Sequence, residues 1–136
     1  MIGIVLVTHK NLAKELLEAA YIISEKRANI YAIGLEPNET QQHCKEKISK
    51  AIKEADTGDG VVILTDMFGG SPSNLSLSFL KEGKVEVITG VNLPMLVKAV
   101  YAQESKDLTQ FAKELQSYGR RNICLASEIL NKKIED

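Results

Sequence analysis

The apolar residues of this chain alternate between two textures, and that alternation restricts the fold more than any other feature. Residues 2–7 form a nearly continuous, largely β-branched run, as a strand covered on both faces requires. Leu12, Leu16, Ala20 and Ile23 then recur at helical spacing behind Asn11, a residue suited to an N-cap. The pair of textures repeats. A short strand at 30–33, closed by Gly34, precedes a helix opened by Pro37-Asn38, with Cys44, Ile48, Ala51, Ile52 and Ala55 facing inward. Thr57-Gly58-Asp59-Gly60 breaks the chain before a third strand at 61–65.

Ser71 and Pro72 fit the N-cap and first position of a helix that runs through Leu75 and Phe79 to near Gly83. A fourth strand at 85–88 leads to a helix carrying Leu93, Leu96, Ala99 and Val100, with Pro94 in its first turn. Asp107 caps a last helix with Leu108, Phe111, Leu115 and Tyr118 inward, and Gly119 is its stop signal. Residues 122–126 read as a short fifth strand, and 127–136 form a half-charged tail assigned no structure.

Strands joined by helical crossovers imply an α/β fold: an open four-stranded parallel sheet, helices on both faces, each crossover right-handed. In such sheets ligands bind at the carboxyl ends of the strands, where strand order reverses. With the first strand central, that crevice lies between the tips of the first and third strands. His9 follows the first and Asp66 the third. Their meeting depends on strand order, which the sequence does not state.

At 136 residues the chain reads as one domain, 1–136, without repeats or linker. A formal net charge of −1 supplies no basic field for nucleic acid or an anionic membrane. The apolar runs fall short of spanning length and no signal peptide precedes them, so a cytoplasmic protein is expected. Cys44 and Cys124 stand far apart in no metal-like grouping and read as free thiols.

The segment Asp66-Met67-Phe68-Gly69-Gly70-Ser71-Pro72-Ser73-Asn74 holds the densest chemistry. A neutral imidazole at His9 is a good nucleophile toward phosphorus near neutral pH. A carboxylate on one ring nitrogen fixes the tautomer and frees the other nitrogen to attack, a task open to Asp66. Gly69 and Gly70 let phosphate oxygens approach the backbone, and the Ser71 hydroxyl can donate. Each residue also has a plain reading: a packed histidine, a turn aspartate, ordinary glycine turn chemistry. Thr89-Gly90-Val91-Asn92-Leu93-Pro94-Met95-Leu96 follows the fourth strand and rims the same edge. Its apolar members suit either a partner surface or a first helical turn in the core. His43, among Gln41, Gln42 and Lys45, reads as a solvated side chain.

Three segments together resemble the IIA component of the mannose family of the bacterial phosphoenolpyruvate-dependent sugar phosphotransferase system. They are Gly3 through His9, Asp66 through Asn74, and Thr89 through Leu96; the likeness extends from Met1 to about Leu130. The resemblance implies that His9 takes a phosphoryl group from the histidine-containing phosphocarrier protein and passes it to a IIB component, here a separate protein. Asp66 then orients the ring, and Gly69, Gly70 and Ser71 cradle the phosphate. No metal, nucleotide or other cofactor is implied.

Phe68, Val91, Asn92, Leu93, Pro94 and Met95 become candidates for partner docking. The family is dimeric, so the fifth strand is expected to pair antiparallel on the partner subunit. Contact with the membrane is implied only indirectly, through IIC and IID components. Lys10 departs from the pattern, since glycine commonly follows the active histidine in this family, and is a candidate modulator.

The same chemistry serves a stand-alone regulatory protein whose His9 phosphorylation reports carbon or energy status. It also serves the phosphoryl-donor subunit of a dihydroxyacetone kinase system. A receiver-like aspartyl acceptor at Asp66 ranks low, because no second carboxylate stands near the first strand's tip to help hold magnesium. The sugar is not legible.

Overall fold

The computed structural model describes residues 1–26, 28–105 and 107–135. Its centre is a four-stranded, all-parallel sheet made of β1 (Gly3–His9), β2 (Ile30–Leu35), β3 (Val61–Thr65) and β4 (Val85–Thr89), in the order β2-β1-β3-β4. Strand order reverses at β1, so the crevice falls where expected, between β1 and β3. Six helices complete the described chain: α1 (Leu12–Ser24), α2 (Gln41–Ala55), α3 (Ser71–Leu77), α4 (Leu93–Ala102), α5 (Leu108–Arg121) and α6 (Ala126–Glu135).

Alternation along the strands sorts the core into two layers. Ile4, Leu6, Val62, Leu64 and Ile88 face α1, α4 and α5, where they meet Ala13, Leu17, Leu96, Phe111 and Leu115. Val5, Val7, Val61 and Ile63 face α2 and α3, against Cys44, Ile48, Ala51 and Leu75. His9 continues the alternation of Val5 and Val7, and therefore emerges on the α3 side of the sheet.

Local expectations are corrected at several ends. β1 runs two residues further than expected, so His9 is its last residue. Gly34 lies within β2 and does not close it. α1 buries Ala13, Leu17, Ala20 and Ser24, leaving Leu12 and Ile23 exposed. Asn11 makes no side-chain cap; the Thr8 hydroxyl reaches over from β1 to accept the Ala13 amide at 2.7 Å. The α2 cap is Thr40, whose hydroxyl accepts from the His43 amide, so Pro37-Asn38 belongs to the preceding turn.

α3 takes Gly70 as its N-cap, places Ser71 already inside, and ends before Phe79. Asp107 does cap α5, its carboxylate accepting from the Gln110 amide. Gly119, by contrast, is a buried residue inside α5, where a β-carbon would stand 2.6 Å from Met95 Cε. Its smallness lets α5 close onto α4.

The expected fifth strand does not form within one chain. Residues 122–125 connect α5 to α6, and the tail from Ala126 is helical. A strand needs a ladder partner. Here the Ile123 amide bonds back to Arg120 and the Leu125 carbonyl accepts from Glu128 and Ile129, so local bonds take the backbone instead. Asp136 lies outside the described residues.

Candidate functional site

Parallel pairing of Val7 with Thr65 brings the next residues of both strands over the same end of the sheet. His9 and Asp66 meet there. The His9 amide donates to Asp66 Oδ2 at 3.0 Å, and ring Nδ1 lies 2.8 Å from the same oxygen. The second carboxylate oxygen accepts the Met67 amide at 3.1 Å. An ionised carboxylate only accepts, so Nδ1 carries a proton, and in the neutral ring Nε2 keeps its lone pair.

The histidine side chain is half exposed, at 50%, whereas that of Asp66 is 11% exposed. Burial pushes the Asp66 carboxyl up; the His9 amide, the His9 ring bond and ring charge, and a local amide together outweigh it and hold the group below the ordinary value. The carboxylate is thus an ionised, fixed anchor for a ring open to solvent.

Gly70 lies directly against the ring. A β-carbon there would stand 2.6 Å from His9 Cε1 and 2.9 Å from Nε2. Gly69 has φ +96°, a left-handed conformation that turns the chain toward α3. Ser71 is exposed in the first turn of α3. The turn therefore brings the Gly70 backbone against the Cε1–Nε2 edge of the ring.

The proposed docking residues separate. Phe68 is 71% exposed, and the neighbouring Met67, which the sequence did not single out, is also exposed. Val91 and Leu93 are half-buried and pack on the core, and Pro94 is half-buried in the first turn of α4. Asn92 is a structural cap: its Oδ1 accepts the Met95 amide and its Nδ2 donates to the Gly119 carbonyl. Met95, 4% exposed, is core and is withdrawn from the docking set. An N-cap geometry turns its side chain inward, between α4 and α5.

Two features escaped the sequence. Thr8, buried between the layers, donates to the His9 carbonyl at 3.3 Å while accepting the Ala13 amide, which sets the turn behind the histidine. Glu39, before α2, accepts from the Glu36 amide and Lys47 and lies 3.2 Å from Nε2 of His43, which is otherwise exposed. Only Thr8 left a trace, as a polar residue closing an apolar strand. Among the described residues no group of three or more His, Cys, Asp or Glu side chains could hold a metal ion. Nor is any helix there long and apolar enough to cross a membrane.

The doubly covered four-stranded parallel sheet is the fold of mannose-type phosphotransferase-system IIA proteins. Residues 3–116 match the family described as PTS system fructose IIA component, and the chain belongs to that family. The PTS system fructose-specific EIIA component of Bacillus subtilis is 29% identical over 133 residues, covering 97% of this chain and 91% of that protein. The PTS system mannose-specific EIIAB component of Escherichia coli K12 is 36% identical over 104 residues, 76% of this chain but only 32% of that longer protein. In three dimensions the chain is similar to the PTS IIA protein associated with the fucose utilization operon from Streptococcus pneumoniae. That match has a TM-score of 0.81 and 28% identity, and covers 94% of this chain and 95% of the other.

Proposed function

We propose that His9 is the phosphoryl acceptor and donor of a sugar phosphotransferase relay. It is loaded by the histidine-containing phosphocarrier protein and discharged to a IIB component. The observation that carries this is the His9 ring: Nδ1 tied to Asp66, Nε2 free above Gly70. In the loading step the Nε2 lone pair forms a new P–N bond as the P–N bond of the donor histidine breaks. The departing electron pair stays on the donor ring. His9 becomes cationic, and the Asp66 carboxylate stabilises that charge without taking the proton. The amides of the 69–71 turn and the Ser71 hydroxyl receive the phosphoryl oxygens.

The name EIIAB of the Escherichia coli relative, matched here over only 32% of its length, supports an acceptor of IIB type. We further infer a cytoplasmic homodimer in which residues 122–130 of each protomer cover the exposed edge of β4 on the other. An unpaired edge and an apolar segment beyond α5 support it.

Incubation with phosphoenolpyruvate, the first enzyme of the system and the phosphocarrier is expected to place one acid-labile phosphate on this chain. Full labelling of His9→Ala would overturn the assignment. Asp66→Asn should load about tenfold or more slowly with the fold intact. Capture of acceptors by the labelled protein separates a IIB partner from a regulatory target.

A further inference from the structure

Lys10, next to His9, is one of two non-glycine residues with positive φ among the described residues, at +49°. An L-residue resists that conformation, and here the surroundings impose it. The Lys10 amide donates to the Leu35 carbonyl at 2.9 Å. Its own carbonyl lies so close over Gly34 that a β-carbon there would stand 2.1 Å away. The backbone of Lys10 is thereby clamped by β2, and the residue is exposed one position after His9, within reach of its ring for a four-carbon stem. Among the described residues its ammonium makes no hydrogen bond or ion pair. Lys47, the cation bonded one rung below on β2, is already engaged by Glu39 and the Gly34 carbonyl.

Loading His9 creates a doubly charged phosphoryl group over a carboxylate. The ring cation and Asp66 offset each other, which leaves the phosphoryl charge uncompensated. We propose that the Lys10 ammonium pairs with the phosphoryl group on His9 and so sets how far the transfer equilibrium lies toward this chain. This rests on His9 as the acceptor. Lys10 acts through the phosphorylated state: it binds the oxygens as a compact, mobile charge on a four-carbon stem. A role in docking the donor protein would change loading and unloading rates together and leave the equilibrium constant where it was.

The test measures the equilibrium partition of phosphate between the phosphocarrier and this chain, for wild type, Lys10→Arg, Lys10→Met and Lys10→Gly. Met removes the charge and keeps the backbone demand; Gly removes both. Met and Gly are each expected to shift the partition roughly three- to tenfold toward the phosphocarrier, with Arg near wild type. The difference should shrink as salt rises toward 1 M. Equal partition constants across the series, or a shift with Gly alone, overturn the proposal while labelling at His9 leaves the carrier reading intact. Absence of label on folded wild type overturns that reading itself. Thermal melts of each variant identify any loss of fold.

Discussion

At the scale of single residues, the site is a matter of which atom of His9 stays free. Asp66 takes Nδ1, and Gly70 leaves room at Nε2. Gly70 adopts φ −111° and ψ 176°, which alanine also tolerates, so Gly70→Ala acts through its β-carbon and not through backbone strain. That carbon would overlap the ring and swing it off Asp66, since the half-exposed imidazole has solvent to move into. We expect phosphoryl transfer to fall roughly 10–100-fold, with little change in thermal midpoint. Transfer at the wild-type rate would show that the ring works without this close approach.

His9 and Asp66 were legible because one ends and the other directly follows an apolar strand, where a chemistry-bearing side chain has no packing task. Thr8 and the left-handed Lys10 were not, because both depend on what β2 and α1 bring to the turn. Met95 misled for the same reason. An apolar residue after a strand tip fits either a partner surface or the core until Asn92 is seen to cap the helix and direct it inward.

Among the elements, α1 shows where periodicity runs out. Leu12, Leu16, Leu17, Ala19, Ala20, Ile22 and Ile23 occupy more than one face, so two phases fit the pattern and the sequence cannot choose. The sheet chooses, burying Ala13 and Leu17 and exposing Ile22 and Ile23.

α2 had one clear phase, and its inner face was read correctly, with Ile52 half-buried at the edge of the core. Its start was not, because Thr40 caps it and Glu39 ties the turn before it to Lys47. That carboxyl lies below its ordinary value of 4.5, through the Glu36 amide first and the Lys47 bond next; burial opposes them, and the charges of Lys47 and His43 add to them. A depressed carboxylate stabilises the fold fully above its unfolded value and ceases to do so as pH falls through the folded one. Wild type should therefore lose stability between pH 5 and pH 3 more steeply than Glu39→Gln, measured by denaturant midpoints at each pH. Equal slopes would remove Glu39 from the clamp. Asp66, also depressed, titrates in both proteins and cancels from the comparison.

For the whole molecule, the strand order was inferred only on condition that β1 is central, and the structure meets that condition. What one chain leaves open is the far edge of β4. A groove of about 500 Å³ runs between β4 and α5, lined by residues 86–90, Met95, Ala112, Gly119 and Ile123 among others. Ile123, at its rim, and Leu125, Ile129 and Leu130 are exposed. Each such side chain gains about 1.5–3 kcal/mol on full burial, and an unpaired edge strand invites a further ladder.

In the dimer proposed above, packing of these segments across two protomers would cover the apolar side chains and the β4 edge together. Sedimentation of the 15.0 kDa chain at micromolar concentration should therefore report about twice that mass. Replacing Ile123 and Leu125 together by glutamate should yield a monomer that still takes phosphate on His9, because the site is built from β1, β3 and the turn before α3. A wild-type monomer would leave the β4 edge without its proposed cover. A dimer that survives both glutamates would place the interface elsewhere on the surface.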